Sequence, residues 1–262
     1  MQQSVHVEGK ERSEGAPAIV VCEHASPAIP DALADLGLAP ESRLSHVAWD
    51  PGALNVARQV ARKLGAPLVH GGLSRLVYDL NRPPDAPDAM PARSERHEVP
   101  GNADLPASER LRRMREIYLP FHSALRQLIA EALLRGEHPA IVTVHSFTPV
   151  FDGRRREEEI GLIHDADDRL ARRLAEKLAP HLPLRIDLNR PYSAADGVTH
   201  TLRLHALPYG LENVMIEIRN DLVAADADAQ RIGRALAAAL GEALGMERKG
   251  RGAGPESRVM GG

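Results

Sequence analysis

Two histidines stand where apolar runs of the sequence give way to polar residues. His24 ends the run AIVVCEH, and His145 lies at the end of AIVTVHS. In an open α/β sheet the ligand crevice lies beyond the carboxyl ends of the strands, so polar residues at these positions are the first to consider for chemistry. Two imidazoles from separate strand ends, with a carboxylate and a water molecule, would form the open coordination of catalytic zinc. Each could instead be an ordinary histidine that caps a buried strand.

Two residues could supply the carboxylate of such a metal site. Glu23 adjoins His24, but neighbouring side chains of an extended strand point to opposite faces, so both reach one ion only if the strand has already turned. Asp50 is the other choice, although an aspartate followed by Pro51 is also the pattern of a helix N-cap with proline at the first helical position. The two roles of Asp50 are compatible, since one oxygen could cap the helix while the other binds the metal.

A third apolar run, NVMIEIR, ends in a carboxylate that suits proton transfer. Glu217 could accept a proton from metal-bound water and later donate it to the leaving nitrogen. Arg219 shares the same face of the strand at a period of two, so the two residues could also form a purely structural ion pair.

The segment VYDLNRP and the first apolar run contain two further reactive side chains. Arg82 offers a planar guanidinium for a substrate carboxylate or a polarised carbonyl, or is an exposed arginine before a proline turn. Cys22 lies two residues before His24 and could be a nucleophile activated by it, although a buried cysteine is usually a small hydrophobe. The sequence has no Gly-x-Ser-x-Gly nucleophile elbow and no phosphate loop.

The pattern of apolar runs predicts the sheet that must position these residues. Runs rich in valine and isoleucine predict strands at 18–24, 66–72, 75–80, 140–146, 159–165 and 213–219. Apolar residues repeating at three and four positions predict helices at 108–134, 166–179 and 226–244. Pro120 should bend or split the first of these helices. Helices that follow strands imply βαβ units, so we expect an α/β fold with a mixed, mostly parallel central sheet flanked by helices.

Length and composition predict one globular domain. The chain has 262 residues, 43% of them hydrophobic and 26% charged, which is enough to bury a full core. Residues 1 to about 15 and 248–262 are polar and are predicted to be disordered, which leaves 16–247 as the catalytic domain. The segment 83–106 is rich in proline and charge and is too long for an ordinary connection, so it is either a lid or substrate-binding loop, or a surface excursion.

Charge and cysteine content exclude several classes of function. The formal net charge is −3 and the basic residues are dispersed, so the sequence lacks the basic patch of a nucleic-acid-binding protein. Its single cysteine excludes an intramolecular disulfide and a multi-cysteine metal site, and fits a reducing compartment. No apolar run of about 18 residues and no apolar secretory segment is present. We expect a cytoplasmic protein, a monomer or small homo-oligomer, with a small-molecule substrate and no nucleic-acid or membrane partner.

Six blocks of the sequence, taken in order, resemble the N-formylglutamate amidohydrolase family. They are CEHASPAIP at 22–30, AWDPGA at 48–53, SRLVYDLNRP at 74–83, VTVHSFTP at 142–149, NRPYSAADGVTHT at 189–201 and VMIEIRNDL at 214–222. The resemblance implies a single-domain fold related to the zinc carboxypeptidases and the aspartoacylase group, of the phosphorylase/hydrolase-like type. It also implies a reaction in which zinc-activated water attacks the amide carbonyl of a small acidic N-acyl amino acid such as N-formylglutamate.

Roles for individual residues follow from their positions in these blocks. The resemblance makes His24 and His145 ligands of one Zn²⁺ and Glu217 the general acid/base, with Arg82 also expected in the catalytic machinery. The residues expected to bind substrate are Arg75, Asn81, Arg82, Asn189, Tyr192 and Arg219. The substrate's carboxylate is assigned to Arg82 or Arg219.

Two positions depart from the wider superfamily. The ligand glutamate usually found three residues after the first histidine is replaced here by Pro27, so Asp50 is the preferred third ligand and Glu23 the alternative. The first block reads CEHAS, where enzymes of histidine degradation tend to have Pro-His-Ser-Gly. The alternatives are therefore a zinc amidase or peptidase for another N-acyl amino acid or a cell-wall fragment, and a family member that binds metal or ligand without turnover.

Overall fold

A seven-stranded sheet forms the centre of the structure, a computed structural model that describes residues 3–246. The strands are β1 (Val5–Glu8), β2 (Ala18–Cys22), β3 (Leu68–Gly71), β4 (Arg93–Ser94), β5 (His97–Glu98), β6 (Ala140–Phe147), β7 (Val150–Phe151), β8 (Arg154–Arg155), β9 (Ile160–Ile163), β10 (Ile186–Leu188) and β11 (Asn213–Arg219). The α-helices are α1 (Pro40–Arg43), α2 (Ala53–Leu64), α3 (Ala107–Arg113), α4 (Leu119–Leu134), α5 (Arg169–Leu178), α6 (His200–His205) and α7 (Asp226–Ala243). Short 3-10 segments are Lys10–Arg12, Asp31–Gly37, Pro87–Ala89, Pro100–Asn102, Ala194–Asp196, Leu207–Tyr209 and Asn220–Val223.

The strands are arranged in the order β1–β3–β2–β6–β11–β9–β10. Four of the six pairings are parallel, and the pairings β1–β3 and β11–β9 are antiparallel. This confirms the prediction of a mixed, mostly parallel sheet. Two small hairpins, β4–β5 and β7–β8, lie outside it. The parallel centre brings the carboxyl ends of β2, β6 and β11 to one edge.

Helices cover both faces of the sheet, which is why its strands are continuous apolar runs. Successive side chains of β2 illustrate the two layers: Val20 and Cys22 pack with α2, α5 and α7, whereas Ile19 and Val21 pack with α4 and the segment 73–99. All of β2, β6 and β11 is buried. No helix within residues 3–246 combines the length and the apolar character needed to cross a membrane.

The helix predicted at 108–134 is interrupted, as Pro120 requires. α3 and α4 are joined by a π-helical segment, Met114–Tyr118, and Pro120 lies in the first turn of α4. A proline has no amide hydrogen to donate and its ring displaces the carbonyl four residues earlier, so the wider π turn accommodates it without ending the helix.

The segment 75–80 is not a strand, and the prediction for it is wrong. Its backbone bonds locally: the amide of Val77 donates to the carbonyl of Ser74 at 2.9 Å, and the amide of Asp79 to the carbonyl of Ala89 at 2.8 Å. Its apolar side chains are nevertheless buried in the core. Burial alone produces an apolar run, and a loop that crosses the core shares this pattern with a buried strand.

The N-terminal segment forms a strand from Val5, although its composition predicts disorder for residues 1 to about 15. β1 pairs with β3 so that His6 lies opposite His70, and the two rings stack at 4.8 Å. Pairing with a sheet edge satisfies the backbone polar groups without an apolar sequence, so the prediction is wrong for this part. The tail predicted at 248–262 lies outside the described residues.

The packing of α7 on α2 predicts opposite effects for two glycines of α7. A Cβ added at Gly233 would lie 2.7 Å from Cβ of Gln59, whereas one added at Gly241 would meet nothing closer than Sδ of Met246 at 3.6 Å. Both substitutions by alanine favour the helix, but only the first overpacks an interface. We expect Gly233→Ala to lower the free energy of unfolding by about 1–3 kcal/mol and Gly241→Ala to raise it by about 0.5–1 kcal/mol. Urea denaturation measures both, and equal changes would contradict this packing.

Candidate functional site

A cavity of about 330 Å³ lies at the carboxyl ends of β2, β6 and β11, where an open sheet is expected to bind ligands. Residues from distant blocks of the sequence meet there. The predicted site residues that line it are His24, Asp50, Arg75, Asn81, Arg82, His145, Tyr192 and Glu217. The predicted residues Asn189 and Arg219 do not line it.

His24, Asp50 and His145 form a buried group whose potential ligand atoms all lie within 4.8 Å of one another. Nδ1 of His24 lies 3.3 Å from Oδ2 of Asp50, and Nδ1 of His145 lies 2.8 Å from the same oxygen. The structure therefore brings the two histidines together and places Asp50, rather than Glu23, between them.

Two further carboxylates contact the outer nitrogens of the histidines. Nε2 of His24 lies 2.8 Å from Oδ1 of Asp79, and Nε2 of His145 lies 3.0 Å from Oε2 of Glu23. Because an ionised carboxylate only accepts hydrogen bonds, the bond to Asp79 places a proton on Nε2 of His24. Nε2 of His145 contacts Glu23 as an ion pair without hydrogen-bond geometry, and the negative charge of Glu23 favours a proton there as well. A neutral imidazole then presents the lone pair of Nδ1. Two lone pairs and a carboxylate oxygen thus face one another, and positive charge must lie between them as two further protons or one divalent cation.

A divalent cation fits this arrangement. Ligand atoms about 2.0–2.1 Å from a tetrahedral zinc are about 3.3 Å apart, close to the distances of 3.3 Å and 2.8 Å from the two Nδ1 atoms to Asp50. Two imidazoles and one carboxylate are also the protein ligands of catalytic zinc sites that keep a fourth position open. Buried carboxylates behind the histidines are the outer partners that such sites use to fix ligand orientation.

The alternative role of Asp50 as a helix N-cap is not observed. α2 begins at Ala53 and its N-cap is Gly52, with φ of 80°. Only the backbone carbonyl of Asp50 contacts the helix, accepting a hydrogen bond from Ala53 at 3.2 Å. A Cβ at Gly52 would lie 2.5 Å from the carbonyl oxygen of Val223, so glycine both permits the turn and allows this close approach. The turn leaves both oxygens of the Asp50 side chain in the cavity.

The charges of the site stabilise the ionised forms of Asp79 and Asp50 but not that of Glu217. Burial opposes ionisation of Asp79, but Arg75 and His24 hold its pKa well below the usual range. Burial likewise opposes ionisation of Asp50. When protons rather than a metal ion lie between it and the two Nδ1 atoms, His24 and His145 lower the pKa of Asp50 through their charge and their hydrogen bonds. Glu217 is different, because burial raises its pKa to about 7. It is therefore the carboxylate of this cavity suited to exchange a proton near neutral pH.

Glu217 lies beside the histidine group because of the strand register. In the β6–β11 pairing it is the partner of His145. Its Oε2 atom is buried and has no hydrogen-bond partner among the described residues. On its other side stands Gly161 of β9, where a Cβ would lie 2.0 Å from the carbonyl oxygen of Arg190 and 3.3 Å from Cβ of Glu217. The absence of a side chain there leaves room for the glutamate.

The three predicted residues of the segment 75–82 differ in their partners. Arg75 pairs with Asp79 at 2.7 Å and approaches Asp50 at 3.6 Å, so it neutralises the buried carboxylates. Asn81 uses its amide to hold the chain near α6, donating to the carbonyl of Val198 and accepting from the amide of Thr201. Arg82 pairs with the exposed Asp88 and donates to the carbonyl of Gly197.

Asn189 and Arg219 are directed to other parts of the structure. The side-chain oxygen of Asn189 accepts a hydrogen bond from the amide of His164 at 2.9 Å. Arg219 lies 2.8 Å from Asp221 and 3.6 Å from Glu159. It is paired, as one reading of the sequence proposes, but with these acids and not with Glu217. Neither residue is placed to bind a substrate in the cavity.

The long segment 83–106 forms one wall of the cavity. It contributes Asp88, Arg93 and Glu95 to the lining, among other residues. Oε2 of Glu95 lies 3.0 Å from Nε2 of His46, which ties the segment to the body of the protein. The segment is therefore not a remote surface excursion.

Cys22 is unsuited to nucleophilic chemistry in this site. Its side chain is fully buried in the core between the sheet and α2. Burial and the negative charges of Asp50 and Glu23 raise the pKa of its thiol well above the usual value. A reactive cysteine needs the thiolate in an accessible position, and Cys22 has neither property.

The outer partners of the histidines are not predicted from the sequence. The sequence assigns no role to Asp79 and predicts Glu23 only as a possible ligand, yet each lies against the outer nitrogen of one histidine. A carboxylate placed beside a suspected ligand histidine was the available signal for Glu23. Nothing in the sequence pairs Asp79 with His24, because they meet only through the loop that replaces the predicted strand.

Comparison with known proteins identifies relatives of this chain. The profile of the N-formylglutamate amidohydrolase family matches residues 16–224. The crystal structure of a gene product from Agrobacterium tumefaciens has 49% sequence identity and a TM-score of 0.89, over 92% of this chain and 95% of that one. An N-formylglutamate amidohydrolase from Ralstonia eutropha has the same fold at 19% identity, with a TM-score of 0.60 over 92% of this chain and 97% of that one. No curated protein sequence matches significantly.

The outer carboxylates yield a prediction for metal affinity. Asp79→Asn removes the charge that orients His24, so we expect zinc affinity to fall by about 10–100-fold. Asp88→Asn is the control, because Asp88 also lines the cavity but pairs with Arg82 and contacts neither histidine. Competition with a chromophoric chelator measures both affinities. Equal affinities for the two variants would show that Asp79 does not support a metal ligand.

Proposed function

Since the chain belongs to the N-formylglutamate amidohydrolase family, we propose that it is a zinc-dependent amidohydrolase that removes the acyl group, formyl in the first instance, from a small acidic N-acyl amino acid such as N-formylglutamate. The observation that carries the proposal is the position of Glu217, a buried carboxylate with a raised pKa, beside the group formed by His24, Asp50 and His145. We expect the protein to act in the cytoplasm as a monomer or small homo-oligomer, without a nucleic-acid or membrane partner.

His24, Asp50 and His145 are the residues that would hold the metal. When bound there, a divalent ion would supply Lewis acidity, which would lower the pKa of water from 15.7 toward about 7 and polarise the scissile carbonyl. Asp79 and Glu23 keep the histidine protons on the outer nitrogens, so both Nδ1 atoms remain available as ligands. Zinc is the preferred ion for this ligand type, although imidazole and carboxylate also accommodate other divalent metals.

Glu217 moves the proton. Its free Oε2 atom accepts a proton from the attacking water and later donates it to the leaving nitrogen, so the amine departs neutral. A carboxylate whose pKa is near 7 has similar tendencies to take up and to release a proton at neutral pH. Burial, which produces this pKa, thereby prepares one residue for both steps.

Arginines of the cavity position the substrate. Arg82 pairs with Asp88, a residue whose side chain is 55% exposed, so a substrate carboxylate can replace this weakly held partner. Arg75 lies between the buried carboxylates and the cavity and adds positive charge near the carbonyl that develops negative charge. A cavity of about 330 Å³ is at the small end of ligand sites, which favours an amino-acid derivative over a long peptide.

Replacement of the proton carrier is the direct test of this function. Glu217→Gln keeps the shape of the side chain but cannot accept a proton, so we expect turnover of N-formylglutamate to fall by about 10²–10⁴-fold with zinc content unchanged. Released amine and bound metal are measured on the same samples. Glu176→Gln, at an exposed position of α5 that does not line the cavity, serves as the control. Full activity of Glu217→Gln would exclude the assigned role.

Metal removal separates this proposal from cysteine hydrolysis. We expect a strong chelator to abolish turnover and added zinc to restore it, whereas Cys22→Ala should stay active because its thiol is buried away from the cavity. A panel of N-acyl amino acids and cell-wall peptides, assayed for released amine, identifies the preferred substrate. Loss of activity in Cys22→Ala together with indifference to chelators would favour a cysteine enzyme, and no turnover of any compound by zinc-loaded protein would favour a binding protein.

A further inference from the structure

Arg156 occupies an unusual position at the edge of the cavity. It follows the β7–β8 hairpin, and its guanidinium carbon lies 5.5 Å, 4.6 Å and 4.7 Å from the ring centroids of Phe147, Phe151 and Tyr192. All three rings line the cavity. One wall of the cavity is therefore formed by aromatic rings that also contact the guanidinium of Arg156. The quadrupoles of the rings stabilise the positive charge of the guanidinium.

The charge of Arg156 is not neutralised by a carboxylate within residues 3–246 that the structure describes. Three glutamates follow it in the sequence, at 157–159, but Glu158 pairs with Arg190 and Glu159 with Arg219. The single side-chain hydrogen bond of Arg156 is donated by Nη1 to the hydroxyl oxygen of Tyr192, at 2.9 Å. A half-buried guanidinium without a counterion, in a wall rich in other charges, indicates that its charge is available to a ligand.

The hydrogen bond from Arg156 determines what Tyr192 can do. Because the phenol oxygen accepts the guanidinium N–H, the phenol's own proton points elsewhere, and Tyr192 faces the cavity. The neighbouring cation also makes the hydroxyl a stronger donor. Tyr192 thus presents to the cavity a donor suited to an anionic group, and Arg156 acts through it as a positioning residue.

The arginines that line the cavity are already occupied by protein carboxylates. Arg75 pairs with Asp79, Arg82 with Asp88 and Arg93 with Glu98. Asp79 is buried and holds Arg75 firmly, whereas Arg82 and Arg93 pair with exposed carboxylates that a substrate can replace. An acidic N-acyl amino acid has two carboxylates. Arg82 must release Asp88 to bind one of them, whereas the charge of Arg156 has no carboxylate partner to release within residues 3–246.

We propose that Tyr192, backed by Arg156, forms the subsite for the second carboxylate of the substrate and selects an acidic amino acid over its neutral amide. The inference rests on the proposed function and extends it to substrate choice. The hydroxyl of Tyr192 donates to the carboxylate, and the charge of Arg156 stabilises the anion across the aromatic wall.

Selectivity between two substrates tests this subsite. Tyr192→Phe keeps the ring over Arg156 and removes only the hydroxyl, so we expect kcat/KM for N-formylglutamate to fall by about tenfold or more, with that for N-formylglutamine nearly unchanged. Arg156→Met should also reduce kcat/KM for N-formylglutamate relative to kcat/KM for N-formylglutamine. Tyr209→Phe, at an exposed tyrosine that does not line the cavity, is the control. Equal losses of kcat/KM for both substrates would indicate a structural role and overturn the proposal. An unchanged kcat/KM for both substrates would also overturn it.

A binding measurement separates this inference from the proposed function. Calorimetry with glutarate and with its monoamide requires no turnover. If the subsite is real, the wild-type protein binds glutarate more tightly than the monoamide, and Tyr192→Phe removes the difference. That outcome in a protein that hydrolyses nothing would reject the amidohydrolase and keep the subsite. Turnover of N-acyl amino acids with no discrimination between glutarate and its monoamide would reject the subsite and keep the amidohydrolase.

Discussion

Two imidazole nitrogens directed at one carboxylate oxygen are the constraint on which the site depends. The Nδ1 atoms of His24 and His145 lie 3.3 Å and 2.8 Å from Oδ2 of Asp50, inside the protein. Three electron-rich atoms at this separation repel one another unless positive charge lies between them, and the repulsion is strong in a medium of low dielectric. The carboxylates of Asp79 and Glu23 disfavour a rotation of the rings that would avoid this repulsion, because Asp79 accepts a hydrogen bond from His24 and Glu23 forms an ion-pair contact with His145.

The site concentrates buried acids, and most of the surrounding chemistry compensates for them. Burial disfavours every one of these charges. Arg75 and the histidines offset it for Asp79 and Asp50, whose pKa values are lowered. Glu217 has no comparable partner, and burial raises its pKa to about 7. The same desolvation that makes the cavity costly to fold therefore gives Glu217 a pKa suited to carrying a proton at neutral pH.

The substrate end of the cavity follows a different principle. There the walls are aromatic rings and the charges are held by loops, including the segment 83–106 and the β7–β8 hairpin. Among residues 3–246, Arg156 contacts three aromatic rings and pairs with no carboxylate. Rigid strand ends thus hold the groups that react, while loops hold the groups that recognise, a division that lets specificity change without disturbing the chemistry.

The sequence by itself determined the strands that are buried on both faces and the residues at their ends. β11 was predicted with its bounds, and His24, His145 and Glu217 were identified because a polar residue after a continuous apolar run marks the carboxyl edge of a parallel sheet. Tertiary structure decided what periodicity does not encode. It made 75–80 a buried loop, turned Asp50 away from the helix cap toward the histidines, and paired Arg156 with Tyr192. These outcomes depend on contacts between residues far apart in the chain, whereas an apolar pattern records only that a residue is buried.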